Sequence, residues 1–116
     1  MSEEIENAIV RKTHLGYESH GLMTAYVELA GDHWSRVFGG FGGFALKDKE
    51  GTMRGHAYGM DFVMGVMRAV GVDCWEDVPG KHVRVKRGDG GRIVALGNIV
   101  KPEWFDPEDL RKRHSP

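Results

Sequence analysis

Leu22-Met23-Thr24-Ala25-Tyr26-Val27-Glu28-Leu29-Ala30 reads as a β-strand by its alternation. Met23, Ala25, Val27 and Leu29 fall on one face, and Leu22, Thr24, Tyr26, Glu28 and Ala30 on the other, the period of two that a pleated backbone imposes. The first set is the expected core face. Gly31-Asp32 is then a tight turn into a further strand-like stretch from Trp34 to Leu46. Upstream, Ile5 to His14 is a less regular strand, followed by the polar turn Gly16 to Gly21. Together the three segments predict an antiparallel meander.

Lys47 to Gly55 has the composition of a polar loop. From Tyr58 to Val70 the period changes: Met60, Val63, Met64, Met67 and Val70 recur at three and four, with Phe62, Val66 and Ala69 widening the stripe. This is a helix broad enough to cover one sheet face, with Gly71 as its stop. Asp73 to Gly80 reads as a short turn. His82 to Arg87 and Arg92 to Val100 form a hairpin around Gly88-Asp89-Gly90-Gly91, the second strand being interrupted at Gly97-Asn98. Asp106-Pro107-Glu108-Asp109 opens a short C-terminal helix, with Asp106 as N-cap and Pro107 at the first helical position. The expected fold is α+β: an antiparallel sheet of about five strands packed by one main helix, in a single domain spanning residues 1–116.

With 116 residues, 41% hydrophobic and 28% charged, the chain has the composition of a globular protein, large enough for a core but small for an enclosed cleft. A formal charge of -1 gives no overall attraction to DNA. Cys74 is the only cysteine, so no intrachain disulfide and no cysteine zinc site can form within one chain. Neither a leader pattern nor an apolar run of about 20 residues is visible. The expectation is a cytoplasmic protein without membrane, metal or cofactor.

Phe38-Gly39-Gly40-Phe41-Gly42-Gly43-Phe44 sets two glycine pairs among three aromatics. Glycine lets backbone N–H groups approach a ligand, and Phe41 and its neighbours offer flat apolar faces, a pairing that suits a phosphate-bearing base. The same residues serve equally as bulges and core. His82, Arg84 and Lys86 share a strand face opposite Val83 and Val85, a cation row that is a solvated surface unless an aromatic platform lies beside it. Asn98 has an amide able to read a base edge or to satisfy a bulged backbone. Arg111 and Arg113 suit the negative end of the last helix, and guanidinium also stacks on bases and forks to phosphate. The six histidines show neither H-E-x-x-H nor H-x-H spacing. His14, Glu18 and His20 could converge as an acid/base set, or stand solvated in a turn.

Ile-Glu-Asn-Ala at 5–8, Thr-His-Leu-Gly-Tyr-Glu-Ser-His-Gly-Leu at 13–22, Phe-Gly-Gly-Phe-Gly-Gly-Phe-Ala-Leu at 38–46, Val-Gly-Val-Asp-Cys-Trp-Glu-Asp-Val-Pro-Gly-Lys at 70–81 and Gly-Asn-Ile-Val-Lys-Pro-Glu-Trp-Phe at 97–105 form an ordered series over nearly the whole chain. The series resembles the first-described family of Thoeris anti-defence proteins, small phage-encoded sponges. Phe44 and Leu46-Lys47 stand where that family has tyrosine and a leucine-aspartate pair. The resemblance implies a binding protein without turnover, which sequesters cyclic ADP-ribose isomers made by bacterial TIR-domain enzymes and, in some members, cyclic oligonucleotides of CBASS immunity. It also implies hexamers built from dimers, with pockets between subunits, and ligand contacts from Asn98 and Phe105 inside the matched motif. Arg111 and Arg113 are added on their chemistry.

Two other classes stand beside this one. A phage inhibitor could bind a host enzyme through the Gly/Phe surface. An enzyme using His14, Glu18 and His20 could instead degrade the signal.

Overall fold

The computed structural model describes residues 4–18, 21–40 and 44–114. Their order is β1 (Glu4–Tyr17), β2 (Met23–Gly31), β3 (Trp34–Gly39), β4 (Ala45–Lys47), β5 (Met53–Gly55), α1 (Ala57–Val70), β6 (His82–Arg87), β7 (Ile93–Asn98), β8 (Trp104–Phe105) and α2 (Pro107–Arg113). The main sheet is antiparallel, in the order β3-β2-β1-β6-β7-β8, and β4 and β5 form a separate two-stranded ribbon. The fold is therefore α+β, with one main helix and one short C-terminal helix.

The first three strands form the expected meander. The main sheet has six strands rather than about five, because Trp104 and Phe105 pair with Gly97 and Leu96. Two residues are too few for any periodicity to declare. The stretch read as one strand from Trp34 to Leu46 ends as β3 at Gly39, and the polar Lys47–Gly55 segment is the turn and return of the β4–β5 ribbon. Asp48 organises that ribbon by accepting from the backbone N–H groups of Glu50 and Thr52 and from Arg54 Nε. An exposed turn held by one carboxylate lacks the apolar alternation that marks a strand.

Helix α1 is where the periodicity predicts it, but its buried face is turned from the stripe read in the sequence towards Phe62, Val63, Val66, Ala69 and Val70. Phe62 and Val66 are wholly buried, while Met60 and Met64 stay exposed. His56 caps the start by accepting the Tyr58 N–H on Nδ1, and Gly71 ends it with φ 90°, a left-handed conformation that favours glycine. Against α1 lie Ala25, Val27 and Leu29 of β2, Val83 and Val85 of β6, and Leu96 of β7, all at most barely exposed. The core face read from β2 is the observed one. A ring cluster of Phe38, Phe44, Phe62 and Phe105 fills one side, with centroids 5.2 to 6.2 Å apart. Burying several such rings supplies much of the driving force for folding.

The sheet curls strongly. β3 and β7 approach each other although β2, β1 and β6 lie between them in the strand order, and Phe38 of β3 meets Phe105 of β8 edge to face at 6.2 Å. Among the described residues no helix is long and apolar enough to cross a membrane.

Candidate functional site

The curl leaves a cleft of about 420 Å³ where the edges of β3 and β7 face each other and α2 closes one end. Its β3 wall is Arg36, Val37, Phe38 and Gly39, its opposite wall is Arg92, just before β7, with Ile93 and Val94, and α2 with its N-cap adds Asp106, Pro107, Glu108 and Arg111. The floor is apolar, since Phe38 is buried and Ile93 packs on the core. Among the described lining residues three guanidiniums oppose two carboxylates. Asp106 is already engaged as the α2 N-cap, accepting the Glu108 N–H at 2.9 Å. Glu108 is thus the acidic group not used in capping.

Arg111 is placed by α1 as well as by its own helix. Its guanidinium lies over the Tyr58 ring, 5.4 Å from the centroid. Burial pushes the Tyr58 phenol above its ordinary value of 10.0, and the neighbouring Arg111 charge pulls the other way. Arg36 donates to the Ser35 carbonyl at 3.2 Å, which sets it on the rim. The three guanidiniums approach from β3, from the turn before β7 and from α2.

Asn98, Phe105, Arg84 and Lys86 do not belong to this cleft. Asn98 ends β7, where its Oδ1 accepts from the N–H groups of Val100 and Lys101 at 3.0 and 2.9 Å and its Nδ2 reaches the Val70 carbonyl at 3.4 Å. Its amide is engaged in tying the β7–β8 turn to the end of α1. Phe105 is 9% exposed, packed edge to face with Phe38 and Phe62, and it lines a second groove that also holds Arg113. Arg84 donates to the carbonyls of Asn98 and Lys101 at 2.6 and 2.9 Å. With Lys86 it covers the Trp104 indole, at 4.9 and 4.4 Å from the ring centroid.

The cation row does therefore have an aromatic platform beside it, but the cations themselves occupy that platform. Gly97 makes this possible: a Cβ there would come within 2.6 Å of Trp104, so only glycine lets the indole lie against β7. A second pair, Arg87 over Trp34 at 4.4 Å, is locked by the Glu6 carboxylate and the Gly91 carbonyl. Arg113 lines a different groove, of about 280 Å³ between α1 and α2, whose lining also carries Asp61, Arg68 and Asp109. Phe41 lies outside the described residues, as does His20. His14 and Glu18 do meet, at 3.0 Å, and His14 stacks on Tyr26 with centroids 4.8 Å apart. Among the described residues no group of three or more His, Cys, Asp or Glu side chains is placed to hold a metal ion.

Of the residues singled out from the sequence, Arg111 and Phe38 meet in the cleft, and Phe105 and Arg113 meet in the second groove. Arg36 and Arg92 were not singled out, because only the curl of the sheet brings them together across more than fifty positions. No family model, no curated protein and no solved structure matches this chain.

Proposed function

We propose that the chain binds a compact phosphate-bearing nucleotide and holds it without cleaving it, acting as a sponge for cyclic ADP-ribose-type immune signals, the ligand class implied by the sequence resemblance. The observation that carries this reading is the cleft in which Arg36, Arg92 and Arg111 surround an apolar floor formed by Phe38 and Ile93. Its volume of about 420 Å³ lies within the range of pockets that enclose small ligands. Guanidinium forks to phosphate oxygens and stacks on bases, which matches both halves of a nucleotide. The cleft's guanidiniums supply charge and hydrogen-bond donors, which is what capture of an anion requires. A cyclic ligand has little freedom left to lose, which favours tight capture.

The test is to incubate the purified protein with a TIR-derived cyclic ADP-ribose isomer, assay the free signal, heat the mixture and assay again. Loss followed by recovery of intact ligand supports sequestration. Loss without recovery makes the protein an enzyme, and no loss moves the search to cyclic oligonucleotides and to direct protein inhibition. Arg36→Ala and Arg92→Ala should each weaken capture about tenfold or more, the worth of one charge-assisted hydrogen bond.

A further inference from the structure

Helix α2 is seven residues long, shorter than the roughly 12–15 at which an isolated helix holds its own shape in water. Its position is therefore set by what it touches. At its start Asp106 caps it, Pro107 is buried, and Leu110 packs on the core. Its last turn carries Arg111, the α2 guanidinium of the arginine cleft, and that turn rests on the beginning of α1.

His114 makes the second contact of that turn with α1. Its backbone N–H donates to the Arg111 carbonyl at 3.1 Å, and its Nε2 lies 2.9 Å from Asp61 Oδ2. A carboxylate oxygen accepts, so Nε2 is the donor. The imidazole also meets Tyr58 edge to face at 6.2 Å and His56 at 5.5 Å. His56 fixes Tyr58 in turn, because its Nδ1 accepts the Tyr58 N–H at 3.0 Å. Tyr58 thus stands between Arg111 and His114, which lie three positions apart and face the same way.

We propose that the Asp61–His114 contact is a latch that presents Arg111 to the cleft. Asp61 and His114 are then positioning residues for anion capture, although neither lines the arginine cleft. This role rests on the reading of that cleft as a nucleotide site. Without the latch the last turn of α2 frays from α1, as a helix end with few buried contacts does, and its guanidinium leaves with it. A role for Asp61 as a bare charge predicts the opposite sign. Removing a carboxylate from the neighbourhood of an anion site favours the anion by Coulomb attraction alone, whereas removing one half of a latch weakens capture.

Calorimetric titration of the full chain with a TIR-derived cyclic ADP-ribose isomer separates the two. Asp61→Ala and His114→Ala should each weaken capture about three- to tenfold, and Asp61→Asn, which keeps an acceptor for Nε2, should recover part of the loss. In an Arg111→Ala background the Asp61 change should have no further effect, because it acts through that guanidinium. Asp61 is half-exposed on α1, where alanine is the better helix former, so its variant should stay folded. Unchanged or tighter capture by Asp61→Ala overturns the latch, as does a loss that persists in full beside Arg111→Ala. If the wild-type chain captures no nucleotide, the nucleotide reading falls and the ligand-free protein decides the latch. The NMR signal of the Arg111 Nε–H, shifted upfield by the Tyr58 ring beneath it, should return to its ordinary position in both alanine variants. A signal that stays shifted overturns the latch.

Discussion

Phe105 occupies the space that Gly65 leaves open on α1: a Cβ added at Gly65 would lie 2.5 Å from the Phe105 ring. Helix and strand therefore approach more closely here than any other residue at 65 allows. Gly65→Ala should destabilise the fold by about 1–3 kcal/mol through overpacking, despite the better helix propensity of alanine. Phe105→Ala should cost about 3–5 kcal/mol by cavity formation. Urea denaturation measures both. A Phe105→Ala protein of unchanged stability that loses nucleotide affinity would make Phe105 a ligand contact rather than a packing residue.

Asn98 separates a structural from a recognition role in the same way. Removing its Oδ1 leaves the exposed N–H groups of Val100 and Lys101 to water, so Asn98→Ala should cost about 1 kcal/mol, while Asn98→Asp keeps that acceptor but loses the donor to the Val70 carbonyl and should recover only part of the loss. Ligand titration on both variants should give unchanged affinity.

Glu108 offers a gain rather than a loss. It lines the arginine cleft and opposes any anion bound there. Glu108→Gln should raise nucleotide affinity about two- to fivefold, with the increase shrinking at high salt. Isothermal titration at two ionic strengths checks both parts.

Asp48 predicts a pH response confined to the β4–β5 ribbon. The backbone N–H of Thr52, then Arg54, hold its carboxyl below the ordinary value of 3.8. Because the folded pKa is depressed, its contribution is present above the unfolded value and fades as pH falls through the folded one. An NMR titration should find Asp48 ionising below pH 3.8, with the Glu50 and Thr52 amides shifting in step. An unshifted Asp48 would falsify the assignment.

The elements legible in the sequence are those whose signal is local. Asp106-Pro107 marks the start of α2, Gly71 marks the end of α1, and the alternation of Ala25, Val27 and Leu29 identifies the buried face of β2. β8 escaped notice because its two residues are strand only through pairing with Leu96 and Gly97. The candidate site was less legible for a related reason. A phenylalanine such as Phe105 carries the same side chain whether it stacks on a base or meets Phe62 edge to face, and only burial distinguishes the two. Arg36 and Arg92 look like ordinary solvated residues until the sheet bends them into one cleft.

That cleft is a seam between segments remote in the chain: residues 36–39, 92–94 and 106–111 meet only after every intervening strand is in place. A ligand seated across it therefore clamps the closing edge of the whole sheet. Because partly unfolded chains lack the seam, occupancy and global stability rise together by mass action, and a thermal melt doubles as a binding assay for any candidate signal molecule.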